Sequence, residues 1–223
     1  MQCRAVQAGL RDSGEPIEMT TSYVLEHLAV IFFAATGVWA ARGKSVDLFG
    51  VIVLGMVTSM GGGTIRDLLL DVPVYWISDS HFLVSSVIAS CLSFFVARVY
   101  HPPLRLVQIP DAFGLAFVTI LGTSKTHLLG HASPVCIVMG VTSGVAGGIL
   151  RDVLCGEIPL VFRPHIFLYA TAAALGATTF LAVESWWPRR PECMLVGAAV
   201  VVLLRLKAIR SQIGLPVFRT SDP

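Results

Sequence analysis

The chain has 223 residues, of which 55% are hydrophobic and only 13% are charged, and its mean hydropathy is +0.76. One soluble core of this size could not bury so much apolar surface, so the composition excludes an ordinary soluble globular protein. Sixteen Lys and Arg residues against fourteen Asp and Glu give a formal net charge of +2, which does not indicate a nucleic-acid partner. The composition therefore predicts a lipid bilayer as the surroundings of the chain.

Seven continuous apolar stretches follow a polar N-terminal segment of residues 1–24. Several have the ~20 residues that a helix needs to cross the hydrocarbon, and the first and fourth are short enough that we expect them to extend into flanking residues. Continuous rather than alternating apolar residues disfavour a β-barrel, so we predict an all-α integral membrane protein with seven transmembrane helices. The predicted spans are residues 25–41, 46–70, 82–99, 111–125, 134–155, 165–184 and 193–209.

The basic residues predict an orientation in the membrane. With the N-terminus outside, ten basic residues fall on the inner side and six on the outer side, which favours a cytoplasmic C-terminal tail, residues 210–223, and a bacterial inner-membrane location. The ten are Arg42, Lys44, Arg98, Arg105, Arg151, Arg163, Arg205, Lys207, Arg210 and Arg219.

An internal repeat relates the two halves of the chain. Residues 61–69, GGGTIRDLL, align with residues 146–154, AGGILRDVL, at a fixed offset of 85. The same offset matches Gly37 with Gly122, Gly55 with Gly140 and Thr58 with Ser143. We predict repeats over 25–99 and 111–184, each with three helices. Because three is odd, the second copy enters the membrane from the opposite side, and the helix at 193–209 lies outside this inverted 3+3 repeat.

Glycine clusters lie inside the second and fifth spans, at Gly61, Gly62 and Gly63 and at Gly147 and Gly148. Glycine weakens a helix by about 1 kcal/mol relative to alanine, so these clusters are places where the backbone can kink or unwind around a site at the membrane midplane. Close packing of helices through small residues is the alternative explanation.

An Arg-Asp pair follows each glycine cluster, Arg66-Asp67 and Arg151-Asp152. Charges at membrane depth cost at least ~2.5 kcal/mol each, so we expect them to be paired or to face water. Adjacent residues on a helix do not face each other, and the inverted repeat suggests instead that Arg66 pairs with Asp152 and Arg151 with Asp67. The alternative is that each pair lies at the interface, with the arginine reaching the headgroups.

Lys125 ends the fourth span and has no basic counterpart at Ala40, the matching position of the first repeat. It could influence ion passage, although a lysine at a helix end also serves as an interfacial anchor. No nucleotide-binding glycine loop, GxSxG or HExxH motif occurs, and the histidines lack metal-ligand spacing, so we expect no enzyme, no metal site and no cofactor.

The doubled motif GGGTIRDLLLDVP at 61–73 and AGGILRDVLCGEIP at 146–159, with DAFGLA at 111–116, resembles the prokaryotic TRIC (trimeric intracellular cation channel) family, also catalogued under a glycine-transporter domain name. The resemblance covers residues 25–208. It implies a homotrimer in which each protomer has its own hourglass pore, and passive conduction of monovalent cations that favours potassium.

By position, the resemblance implies kinks at Gly61–Gly63 and at Gly147–Gly148, and it makes Lys125 a counterpart of the basic gating residue on the fourth helix. The second cluster reads Ala146-Gly147-Gly148 here, with one glycine fewer. A secondary transporter for a small solute such as glycine remains the alternative, since an inverted repeat with interrupted helices suits either function. A scaffold protein without transport would leave the symmetric charges unexplained.

Overall fold

The computed structural model describes residues 16–100, 104–163, 168–188 and 190–211, and within these ranges it consists of helices and the connections between them, with no strand. Eight α-helices and one turn of 3-10 helix, Leu160–Phe162, follow one another with short connections. The α-helices are α1 Pro16–Ala40, α2 Leu48–Leu69, α3 Tyr75–Ser78, α4 His81–Val99, α5 Leu104–Leu128, α6 Ser133–Leu154, α7 Tyr169–Trp186 and α8 Pro191–Ser211.

Seven of these helices have 18 residues or more, and they coincide with the seven predicted spans. As expected, α1 and α5 extend beyond the apolar stretches at 25–41 and 111–125. Five helices have the length and apolar composition to cross a membrane, namely α1 from Thr20, α2, α4, α5 from Val107 and α6. In contrast, α7 is rich in alanine and threonine, and α8 carries Glu192, Arg205, Lys207 and Arg210.

Helices α2 and α6, which carry the glycine clusters, end in the same way. In α2 the chain turns at Asp71, whose φ is +52°, and the Val72 N–H donates back to the Asp67 carbonyl oxygen at 3.0 Å. In α6 the turn is at Gly156, with a φ of +68°, and the Glu157 N–H donates to the Asp152 carbonyl oxygen at 2.8 Å. Glycine and aspartate are among the residues that adopt this left-handed conformation at a helix end.

The hydrophobic core is centred on α5, which contacts α1, α6, α7 and α8. Ala112, Leu115, Ala116 and Ile120 on α5 have no exposed surface. In contrast, α4 lies at the periphery, and its large apolar side chains are exposed at Val84, Ile88, Leu92, Phe95, Val96 and Val99. Such a face suits lipid rather than water, which agrees with the membrane class that the composition predicts.

Candidate functional site

Helices α2 and α6 cross at two glycines, Gly62 and Gly147, which we call the glycine crossing. A Cβ added at Gly62 would overlap the carbonyl oxygen of Ser143, and one added at Gly147 would overlap the carbonyl oxygen of Thr58. The backbones can approach this closely only because neither position has a side chain. Since residue 58 meets 147 while residue 62 meets 143, the two helices run antiparallel through the crossing.

Small residues also mark a helix crossing inside each half of the chain. A Cβ at Gly37 on α1 would lie 2.7 Å from Thr58 Oγ1 and 2.9 Å from Gly55 Cα on α2. The matching positions on α5 and α6 behave alike, since a Cβ at Gly122 would lie 2.9 Å from Ser143 Oγ and 3.1 Å from Gly140 Cα. The residues that align at an offset of 85 in the sequence therefore make equivalent contacts.

The glycine clusters thus serve close packing, which is the alternative that the sequence left open. Both α2 and α6 continue as α-helix through the clusters. The neighbouring glycines face side chains rather than backbone: Gly61 faces Leu150, Gly63 faces Tyr75 and Gly148 faces Tyr169. The proposed kink and pore role of Gly61, Gly62, Gly63, Gly147 and Gly148 stays a prediction.

Four charged side chains from the middle of α1 and the last turns of α2 and α5 meet, and we call them the first charge cluster: Glu26, Arg66, Asp67 and Lys125. Arg66 donates from Nε to Asp67 Oδ1 at 2.7 Å and from Nη2 to Glu26 Oε1 at 3.3 Å. Lys125 Nζ donates to the same Asp67 Oδ1 at 2.8 Å. Arg66 and Asp67 are buried, with 2% and 0% of their surface exposed.

A second charge cluster lies where α5 begins and where α6 and α8 end: Asp111, Arg151, Asp152 and Arg205. Arg151 donates from Nε to Asp152 Oδ1 at 2.8 Å and from Nη1 to Asp111 Oδ1 at 2.8 Å. Arg205 Nη2 lies 3.8 Å from Asp111 Oδ2, and its guanidinium carbon lies 4.6 Å from the centre of the Tyr169 ring. All four side chains are buried.

The two clusters share one pattern of bonds at the offset of 85. Glu26 and Asp111, which match at that offset, each hold the arginine found forty residues later. The second carboxylate of each cluster also receives a backbone N–H eight residues on: Asp67 Oδ2 from Tyr75 at 3.0 Å, and Asp152 Oδ2 from Leu160 at 2.7 Å. Glu26, Asp111 and Arg205 were not predicted as members from the sequence, although the offset of 85 aligns Glu26 with Asp111.

The predicted pairing of Arg66 with Asp152 and of Arg151 with Asp67 is wrong. Each arginine bonds the aspartate that follows it, because its long side chain lets the guanidinium turn back to a short carboxylate. The two pairs lie four or five residues beyond an antiparallel crossing, so each is carried ~6 Å along its helix in the opposite direction from the other. Both arginine side chains are buried in the protein, so neither extends outward as a side chain reaching the headgroups would.

Lys125 belongs to the first charge cluster, and its roles as gating residue or interfacial anchor stay predictions. Its side chain is 25% exposed, and its ammonium bonds the fully buried Asp67. At the equivalent place in the other half, Ala40 lines a cavity instead.

The cavity adjoins the second charge cluster and has a volume of about 440 Å³. It lies between α1, α5 and α6 and the segments that follow α1 and α6. Its charged lining comprises Arg42, Lys44, Asp111, Arg151, Asp152, Glu157 and Arg163. A small cavity of about 10 Å³ lies beside the first charge cluster, with Glu26, Ser59, Gly63 and Arg66 in its wall. Among the described residues, no group of three His, Cys, Asp or Glu side chains could hold a metal ion.

One exposed ion-pair network joins two connections around the cavity. Lys44 Nζ, between α1 and α2, donates to Glu157 Oε1 at 2.8 Å, and Arg163 Nη2 lies 3.5 Å from Glu157 Oε2. The hydrogen bond and the positive charge of Lys44 lower the pKa of the Glu157 carboxyl from its ordinary value of 4.5. The network therefore ties the two halves of the chain together by charge.

A family model described as "Glycine transporter" matches the chain twice, at residues 23–98 and 108–185. The UPF0126 inner membrane protein YadS of Escherichia coli is 38% identical over 203 residues, which cover 90% of this chain and 97% of YadS. A UPF0126 membrane protein of Vibrio cholerae is 36% identical over 212 residues, covering 93% of this chain and 87% of that protein.

Solved structures show the same fold. The TRIC trimeric intracellular cation channel orthologue from Rhodobacter sphaeroides is similar with a TM-score of 0.82 and 33% identity, over 87% of this chain and 100% of that one. A prokaryotic TRIC channel crystallised in 0.5 M KCl gives a TM-score of 0.80 and 29% identity, over 88% of this chain and 100% of that one.

Proposed function

The chain belongs to the prokaryotic TRIC family, and from that premise we propose that it is a channel for monovalent cations, with one pore in each protomer of a homotrimer. The preference for potassium over other cations rests on the resemblance to the family, because selectivity depends on the dipoles and dimensions of a conducting pore. We propose no enzymatic activity. The trimer is proposed because the Rhodobacter sphaeroides relative is described as trimeric.

The observation that carries the proposal is the pair of buried charge clusters on either side of the glycine crossing. Ionisable groups are retained at membrane depth where they line a path for ions or polar solutes. Here each cluster holds two carboxylates, and the second charge cluster borders a cavity of about 440 Å³. In the proposal these side chains form the polar wall of the path, and each carboxylate is balanced by a neighbouring basic group.

We propose that all seven long helices span the membrane, with α1, α2 and α4 in one repeat and α5, α6 and α7 in an inverted second repeat. In this arrangement the repeats are residues 25–99 and 111–184, α8 corresponds to the seventh helix predicted at 193–209, and the tail 210–223 is cytoplasmic. The cavity then opens toward the cytoplasm, with Arg42, Lys44 and Arg163 around it. This agrees with the excess of basic residues expected on that side.

Lys125 is the proposed gating residue at the outer end of the pore. Its ammonium bonds Asp67 and is partly exposed. A single lysine side chain that leaves this carboxylate would vacate a site of matching charge for a permeating cation. The side chain is long and flexible enough for such a movement.

Planar-bilayer recording tests the channel. Purified protein between potassium chloride and sodium chloride solutions should give step-like currents that reverse toward the potassium potential. A mock purification from the same host and the Gly62→Leu protein serve as controls, because leucine at this position overlaps the Ser143 backbone and prevents the glycine crossing from closing. A wild-type protein that stays silent, in bilayers where a known channel conducts, would contradict the proposal.

The second candidate is a secondary transporter for a small solute such as glycine, which the description of the matching family model favours. A transporter gives flux that saturates with solute and is limited by conformational turnover, without single-channel steps. Uptake of labelled glycine into liposomes made from the same preparation distinguishes the two. Saturable uptake together with bilayers that show no current would favour the transporter over the channel.

A further inference from the structure

The repeated part of each charge cluster carries an uncompensated negative charge. In the first cluster Glu26, Arg66 and Asp67 sum to one negative charge, and in the second Asp111, Arg151 and Asp152 do the same. An unbalanced buried charge costs several kcal/mol, so each cluster needs a fourth, positive group. The repeat does not supply it, because the fourth groups are different residues from different helices.

In the first cluster the fourth group is Lys125, at the end of α5. Its ammonium reaches Asp67 while a quarter of its side chain remains exposed. The residue equivalent to Lys125 at the other end is Ala40, which lines the cavity and has no charge. The second cluster therefore obtains no cation from the position that provides one in the first.

In the second cluster the fourth group is Arg205, from α8, the helix that has no counterpart in the repeat. Arg205 is completely buried, lies 3.8 Å from Asp111 and covers the ring of Tyr169. The residues that line the cavity include Asp111, Arg151 and Asp152 but not Arg205. Arg205 thus approaches Asp111 from the side away from the cavity.

We infer that Arg205 is a positioning residue for ion passage, because it neutralises the second charge cluster from behind the cavity wall. The place at Ala40, which corresponds to the one that Lys125 fills in the first cluster, is therefore left open. This inference rests on the proposed function for its effect on currents. A lysine in the wall of a path fills part of that path, whereas a buried arginine behind the wall supplies the same charge without entering it. The two ends of the pore would therefore differ because of α8.

Cation currents that enter from the cavity side test whether the charge of Arg205 affects ion passage. Inside-out patches from giant spheroplasts of a host lacking its own relative fix the orientation. Arg205→Gln leaves one negative charge beside the cavity, so cation current entering from that side should rise roughly twofold at low salt and less at high salt. Arg205→Lys should keep the wild-type ratio between the currents that enter from the two sides of the membrane. Lys207→Gln removes an exposed charge from the same helix and is the matched control.

Moving the positive charge from position 205 to the cavity side of the second charge cluster tests the positioning role of Arg205 without recording any current. Ala40→Lys places an ammonium in the cavity, where the inverted repeat directs it toward Asp152 as Lys125 is directed toward Asp67. If the charge of Arg205 is what the cluster needs, the double variant Ala40→Lys/Arg205→Gln should recover the folded yield that Arg205→Gln loses. In patches, the double variant should carry less current from the cavity side than Arg205→Gln.

The outcomes separate this inference from the proposed function. Wild-type patches without current would contradict the proposed channel function. Rescue of folded yield by Ala40→Lys would still support the role of Arg205. An Arg205→Gln protein that folds and rectifies like wild type would overturn the inference. So would a loss of folded yield that Ala40→Lys does not restore, because Arg205 would then act only through its packing on Tyr169.

Discussion

The nearest carboxylates hold the guanidinium groups of the buried arginines in place. Arg151 has 3% of its surface exposed and contacts Asp111 and Asp152, and Arg66 is held in the same way by Glu26 and Asp67. Two carboxylates around one guanidinium satisfy the planar fork of donors that lysine cannot offer. Such a residue stabilises mainly because its removal leaves charges buried without a partner.

Arg151→Met is expected to destabilise the folded protein by about 3–5 kcal/mol, because Asp111 and Asp152 then lose their shared donor in a buried site. Unfolding in mixed micelles with increasing dodecyl sulfate measures the difference. Arg210→Met is the matched control, since Arg210 is exposed near the end of α8 and should cost little. Equal losses in the two variants would contradict the structural role of the second charge cluster.

The exposed pair of Lys44 and Glu157 should make stability depend on acid pH. Because the pKa of Glu157 is lower in the folded protein than its ordinary value of 4.5, the pair stabilises the fold above that pH. This contribution is lost as the pH falls through the lowered folded-state pKa.

We therefore expect the Tm of Glu157→Gln to lie below that of wild type at pH 7, and the difference to shrink as the pH is taken below about 4.5. Lys44→Gln should lower the Tm less, because Arg163 still lies 3.5 Å from Glu157, and the double variant should lose little more than Glu157→Gln. A difference that is constant from pH 7 to the most acid condition would rule out the ion pair as its cause.

At the scale of the helices, contact between α2 and α6 depends on which glycine of a cluster faces the partner backbone. Gly62 and Gly147 face carbonyl oxygens of the opposing helix, while Gly61 faces only the end of the Leu150 side chain. A backbone cannot give way as a side chain can, so neighbouring glycines with the same sequence signal carry different costs of substitution.

Gly62→Ala should destabilise the protein by about 1–3 kcal/mol, because the new methyl group forces the glycine crossing apart. Gly61→Ala is the matched control in the same turn of the same helix. There Leu150 can change its rotamer, and the gain in helix propensity of up to about 1 kcal/mol offsets the contact. Unfolding in mixed micelles compares the two variants.

The same pair of variants distinguishes packing from kinking. If the clusters act through backbone flexibility, both alanine variants should reduce single-channel conductance, since both stiffen α2. If close packing is the main role, Gly61→Ala should conduct like wild type. Equal loss of stability in both variants would count against the glycine crossing.

At the scale of the whole molecule, the family model matches the chain twice, and α8 lies outside both matches and packs on the second half. The helix α8 contacts α5 and α7 of the second half most extensively. Through Arg205 it also reaches the second charge cluster, so the departure from symmetry lies beside the cavity. A twofold-related pair of repeats alone would have given two equal ends.

The proposed orientation predicts the side on which each segment lies. A green fluorescent protein fused after Ser211 should fluoresce, because the C-terminus is proposed to be cytoplasmic, and alkaline phosphatase at the same point should be inactive. Fusions after Gly130, in the connection between α5 and α6, are the internal control and should give the reverse pattern. Fluorescence from both positions would show that the proposed topology is wrong.

Much of the fold could be read from the chain because lipid imposes simple rules. Apolar length predicted the seven long helices, and the offset of 85 matched Gly37 with Gly122 and Thr58 with Ser143. The structure shows that these matched positions make equivalent contacts in the two halves. The partners of Arg66 and Arg151 were wrongly predicted, because spacing on an ideal helix suggested partners across the repeat. Side-chain reach and the direction of the crossing, which spacing does not contain, decided those pairs.

The sequence by itself determined the membrane class, the internal repeat of motifs, and the two Arg-Asp pairs that need partners, because hydropathy and repetition are properties of the chain. Only the tertiary structure decided which charges compensate one another. Lys125 and Arg205 reach their carboxylates from helices that are distant in sequence, and Ala40 borders open space because no charge occupies its place. Such assignments depend on how helices are arranged around one another, and short-range electrostatics acts only after that packing has brought the groups within a few ångströms.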